Sequence, residues 1–247
     1  MSTHRAAATA TLLLALGALS SVRAQQQAGG AARSARDGAP IDITGYWVSY
    51  VTENWRYRMV MPPKSEYRRI PASRAALPLI SAWDPAADER AGNQCRSYGA
   101  AAIMSVPGRL HITWQDADTL RIETDAGMQT RLFRFSPRAT SSPRSWQGES
   151  AGAWERATGP GGGGSLRVVT TNLREGYLRK NGVPYSERAT VTEHFDVAPL
   201  AGDGKLLLVT TVVDDPVYLN APYVVSPHFK KEVDGSKWDP TPCSSTW

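Results

Sequence analysis

Two residues of opposite charge fall where strand alternation calls for apolar ones. In residues 187–197 (ERATVTEHFDV), period-2 alternation puts Ala189, Val191, Glu193, Phe195 and Val197 on one face and Arg188, Thr190, Thr192, His194 and Asp196 on the other. Glu193 is the exception on an apolar face, and a carboxylate there must be paired, protonated or engaged in chemistry. Arg131 is its best companion, because it shares parity with Phe133 and Phe135 while Thr130, Leu132 and Arg134 alternate on the other side. Three roles are open to an inward pair. It is a structural ion pair, whose breaking costs about 3–5 kcal/mol. Or it is the polar anchor of a ligand cavity. Or it is a catalytic element, with Glu193 as acid or base and Arg131 tuning its pKa. Tyr177, Arg179 and Tyr185 surround the Asn181-Gly182 turn, where they are placed to add hydrogen bonds at a cavity mouth.

Other reactive-looking patterns lack their setting. Gly148-Glu149-Ser150-Ala151-Gly152 has the spacing of a nucleophile elbow, but that chemistry needs a serine on a strand-to-helix turn. Proline, serine and glycine flank the match here, so Ser150 reads as a loop residue. Apart from His4 near the start of the chain, the histidines are His111, His194 and His228, none at metal-ligand spacing, so neither a metal site nor a cofactor is expected. The glycine run 161–164 is not followed by the lysine of a phosphate loop and reads as a connector.

The elements that must position these residues are mostly strands. Residues 45–61 alternate at length, with Trp47, Val51, Trp55, Tyr57 and Met59 on one parity, and predict one long strand ended by Pro62-Pro63. Residues 73–92 are Ala-rich and predict a short helical insertion broken at Asp84-Pro85. Hairpin signals then follow closely: 110–114 and 120–124 around a polar turn, 130–135, a long loop over 136–165, and strands at 166–172, 189–197, 205–213 and 223–229. Successive polar-out strands around one interior predict an all-β, antiparallel, lipocalin-like barrel. Trp47, Trp55 and Tyr57 are then expected to line or close its cavity.

Residues 1–24 combine Arg5, an apolar run and the small-residue site Val22-Arg23-Ala24, the pattern of a secretory signal peptide. Residues 25–40 read as a flexible leader, and 41–247 as a single domain of barrel type. The net charge of +5 falls to +3 once Arg5 and Arg23 are removed. No basic cluster suits nucleic acid, and Trp55-Arg56-Tyr57-Arg58 reads as a strand with arginines on one face. No integral membrane segment is expected after signal removal. In an exported chain the even pair Cys95 and Cys243 is expected to form a disulfide.

The stretch from residue 83 to about 231 resembles a family of uncharacterised exported bacterial proteins. The matching text is Cys95 with Gly99, Ile103-Met104, Pro107, Arg131, Trp146-Gln147-Gly148 with Ser150 and Trp154, and the run 164–172. It continues with Pro184-Tyr185-Ser186-Glu187, Thr192-Glu193, and Asp215-Pro216 with Tyr218, Pro222 and Tyr223. Members often carry a histidine where this chain has Tyr185. Gly45-Tyr46-Trp47 also resembles the G-x-W of lipocalin-like barrels, whose tryptophan packs across one barrel end. The expected function is binding of a small, largely apolar ligand by an exported (periplasmic or extracellular) barrel. The alternatives are an isomerase, cyclase or hydrolase using Glu193, or a structural or partner-binding envelope protein.

Overall fold

A computed structural model of the chain describes residues 33–136, 142–158 and 162–246. Residues Met1–Arg33 and Ser34–Trp247 separate as two units, and the description below concerns the second. The expected signal peptide lies outside the described residues.

Among the described residues there are twelve strands: β1 (Gly45–Ser49), β2 (Arg109–Trp114), β3 (Thr119–Thr124), β4 (Thr130–Arg134), β5 (Glu149–Arg156), β6 (Gly164–Thr171), β7 (Gly176–Tyr177), β8 (Pro184–Tyr185), β9 (Thr190–Leu200), β10 (Gly204–Asp214), β11 (Tyr223–Val225) and β12 (His228–Lys231). Nine of them close into a barrel in the order β1-β2-β3-β4-β5-β6-β9-β10-β12, with β12 returning to β1. The all-β barrel expected from alternation is therefore present, its strands antiparallel at every junction but one. Alternating directions cannot run unbroken around an odd number of strands, so one seam must be parallel. That seam is β4–β5, with Phe133 opposite Ser150. β5 therefore starts toward the end where β4 began, as a parallel neighbour must.

The expected long strand over 45–61 is corrected. Extended pairing stops at Ser49, Asn54 adopts a left-handed φ of 50°, and Trp55–Met59 forms a single short helix, α1. Asparagine visits that region more readily than other non-glycine residues, and a left-handed residue breaks the strand's period. The turn is then held by tertiary contacts from Arg58, so alternation loses to packing. The other helices fall inside the expected insertion: α2 (Ala76–Ala82) and α3 (Pro85–Arg90), where Asp84 caps the Ala86 amide at 2.9 Å. The long loop expected over 136–165 is also corrected, because it contains β5, which pairs with β6 along its whole length.

Side chains from every barrel strand fill the interior. Leu110, Ile112, Leu120, Ile122, Phe133, Leu166, Val168, Phe195, Leu207, Val209 and Phe229 are all buried, and Tyr98, Ile103 and Met104 plug one end. A second apolar cluster, including Ile80, Ala100, Leu178, Val183 and Tyr185, lies under the helical insertion and the 173–189 segment. Residues 34–40, expected in the flexible leader, pack on the opposite rim. There the Ala35 amide donates to Asp118 Oδ1 at 2.7 Å, and the Trp154 indole donates to the Ala35 carbonyl at 2.7 Å. The expected disulfide is formed, Cys95–Cys243.

Candidate functional site

Arg131 on β4 and Glu193 on β9 do meet inside the barrel. The register places Arg131 opposite Ile122, and Glu193 opposite Val168 and Thr211, so both side chains enter the lumen from strands separated by β5 and β6 around the wall. The guanidinium donates Nη1 to Oε1 at 2.9 Å and Nη2 to Oε2 at 2.6 Å, a bidentate pair with side chains 1% and 0% exposed. Nη2 also reaches Thr170 Oγ1 at 3.2 Å, and that hydroxyl shares a 2.8 Å hydrogen bond with Ser150. The Arg131 guanidinium lies over the Phe133 ring, 4.8 Å from its centre. Both carboxylate oxygens are thus engaged and neither faces solvent. This geometry holds strands together across the lumen, and it corrects Ser150 from a loop residue to an inward strand residue of the same layer.

Trp47 behaves as a barrel plug. It is fully buried, its indole donates to the Ile43 carbonyl at 2.8 Å, and the Lys231 ammonium sits 4.5 Å from its ring centre. Trp55 is 63% exposed on α1 and does not join it, which corrects the expectation that both tryptophans close one cavity. Tyr57 lies on α1, with the guanidinium groups of Arg179 and Arg69 4.7 Å and 5.5 Å from its ring centre. Arg179 also donates Nε to Tyr223 Oη at 3.3 Å.

Tyr177 belongs to a separate network. Its hydroxyl donates to Asp88 Oδ2 at 3.0 Å and accepts from Arg96 Nη1 at 3.0 Å, while Arg96 reaches Glu175 at 3.0 Å and Trp83 donates to Asp88 at 3.2 Å. Burial pushes the Tyr177 phenol well above its usual range despite the Arg96 charge. Tyr185 is fully buried and its phenol is likewise pushed up by burial. Its hydroxyl lies against Gly99 and Gly176, where any β-carbon would collide with it, so glycine at both positions makes room for the ring. The eight expected site residues therefore occupy several places: Arg131 with Glu193 in the lumen, Trp47 as the plug, Tyr57 with Arg179 at α1, and Trp55, Tyr177 and Tyr185 in separate surroundings.

Sequence reasoning missed three features. Lys180 donates to Tyr98 Oη at 2.6 Å, and burial pushes its ammonium down to about 8. Arg58, expected to share one face of a strand with Arg56, is instead on α1 and 5% exposed. The third is an aromatic group at the barrel rim: Phe135 stands 5.7 Å from Trp114 and 5.3 Å from Trp154, ring centre to ring centre. These rings flank the β2–β3 and β5–β6 turns, and Trp114 and Trp154 with Ile41, Ile43 and Leu120 line a cleft of about 420 Å³ under residues 36–44. The signal was available in part, since Trp114 and Phe135 are the last inward residues before their turns; Trp154 was hidden in an expected loop.

Among the described residues no group of three or more His, Cys, Asp or Glu could hold a metal, and no helix is long and apolar enough to cross a membrane. Compared with known proteins, the chain matches no family model, no curated protein and no solved structure.

Proposed function

We propose that this chain is an exported small-molecule-binding barrel, kin to the uncharacterised exported family it resembles, that seats a largely apolar ligand at its aromatic rim. The observation that carries the reading is the cleft of about 420 Å³ lined by Trp114, Trp154, Ile41, Ile43 and Leu120. That volume lies in the range of small-molecule sites, and barrel mouths are a common place for them. Arg36 and Asp42 stand at the same cleft and supply the few polar contacts that orient a ligand. The lumen below is occupied by buried side chains, which moves the ligand from the middle of the barrel to its end. The disulfide supports an oxidising, exported location.

Titration with N-phenyl-1-naphthylamine, read as enhanced probe fluorescence, tests this. Wild-type protein is expected to bind the probe saturably. Trp154→Ala is expected to bind it roughly three- to tenfold more weakly, the scale of one lost aromatic contact, whereas Trp154→Phe retains most of the affinity. Saturable binding that is indifferent to Trp154→Ala and Trp114→Ala would sink the rim site. A wild-type protein that binds no probe and carries no co-purified small molecule in native mass spectrometry would sink the binding function itself.

A further inference from the structure

At the opposite end of the barrel from the aromatic rim, two arginines converge on one hollow. Tyr223 and Val225 of β11 pair with Val213 and Thr211, well away from the β9–β10 turn, and with α1 and Ser105 they wall a space of about 20 Å³ lined by both Arg58 and Arg179. Arg58 forms the buried side. Its Nε donates to the Ser105 carbonyl at 2.9 Å and its Nη1 is paired with Glu53. Arg179 is held by Tyr223 through Nε and by stacking on Tyr57. Among the described residues, Arg58 Nη2 and Arg179 Nη1 are buried and have no hydrogen-bond partner. Arg179 has no carboxylate partner there either.

Leaving such donors unsatisfied is costly, and more so for charged groups than for neutral ones. One acidic residue, Glu53, lines the hollow against two arginines, and its carboxylate is already shared by Arg58 and the Thr52 hydroxyl, the latter at 3.1 Å. The local balance is therefore positive, with two free N–H donors from two different side chains.

We propose that this hollow is a subsite for the carboxylate of a small organic acid, clamped between Arg58 Nη2 and Arg179 Nη1. The space suits a single small group, since one water needs about 10–15 Å³. A flat carboxylate can present one oxygen edge to the two donors with less bulk than a tetrahedral phosphate, and the exposed Asn54 also lines the hollow. Arginine forks match carboxylates well. This site shares no residue with the rim cleft and stands or falls independently of it.

Acetate is the probe. Calorimetric titration of the purified full chain at fixed ionic strength is expected to show saturable one-to-one binding. Arg179→Gln is expected to weaken it at least tenfold, and Arg179→Lys, which keeps the charge but loses the fork, to fall between. Tyr223→Phe removes only the hydroxyl that orients Arg179 and is expected to cost about threefold, which keeps the test open should Arg179→Gln unfold the protein. No saturable acetate binding means that the hollow takes only water and overturns the proposal. Unchanged acetate affinity in a folded Arg179→Gln protein overturns it as well. Inorganic phosphate binding more tightly than acetate overturns the assignment to carboxylates.

Discussion

Glu193→Gln is expected to lower the melting temperature by about 6–20 °C, because removing one partner of a buried ion pair costs about 3–5 kcal/mol and each kcal/mol shifts a domain of this size by about 2–4 °C. The loss follows from the geometry: glutamine keeps the shape but leaves the Arg131 guanidinium, 1% exposed, without its counter-charge. Arg131→Met should be similarly damaging, since it strands the carboxylate. The double variant Arg131→Met/Glu193→Leu should recover much of the loss, because an apolar replacement of similar volume removes both desolvation penalties together. Calorimetric melting of the four proteins forms a double-mutant cycle. A Glu193→Gln protein that melts like wild type would refute the structural role, and if a turnover vanished at the same time, the acid–base reading would replace it.

Opening the Cys95–Cys243 disulfide is expected to be of comparable size. The bridge spans a sequence separation of 148 residues, and in the chain-entropy model a loop of that length contributes about 5 kcal/mol. It also holds the tail where the Ser244 amide donates to Tyr98 Oη at 3.3 Å, the Ser245 amide donates to Glu89 Oε1 at 2.6 Å, and Lys180 reaches the Thr246 carbonyl at 3.4 Å. Cys243→Ser should therefore melt about 10–20 °C below wild type. Protein kept under reductant should behave alike, and wild-type protein should take up two alkyl groups only after reduction. A variant melting within a degree or two of wild type would show that the tail contacts and loop closure contribute little.

The two expected effects act on different states. The ion pair acts on the folded barrel by joining β4 and β9 across the lumen. The disulfide acts largely by restricting the unfolded chain, so the two losses should add within a few tenths of a kcal/mol if the sites do not communicate. A large excess or deficit in the combined variant would reveal coupling between the disulfide-held tail and the polar layer.

Alternation of side chains was sufficient, by itself, to determine the all-β class, the hairpin around residues 115–118, the strands at 189–197 and 205–213, and the inward direction of Arg131 and Glu193. Each is a local consequence of a period of two acting on a strand with one wet face. Cysteine count was sufficient to anticipate the bridge. Tertiary structure alone decided the rest. Trp55-Arg56-Tyr57-Arg58 alternates like a strand yet coils, because Asn54 turns left-handed and Arg58 is captured by Ser105 and Glu53 from distant or neighbouring loops. Residues 149–156 contain glycine and alanine at positions that look like a loop, and become a strand only because β4 and β6 offer free edges on both sides. The parallel seam and the pair of arginines at α1 were beyond the sequence, and the aromatic rim was legible only in part, for one reason. Each is made by residues far apart in the chain, and only barrel closure brings them to the same place.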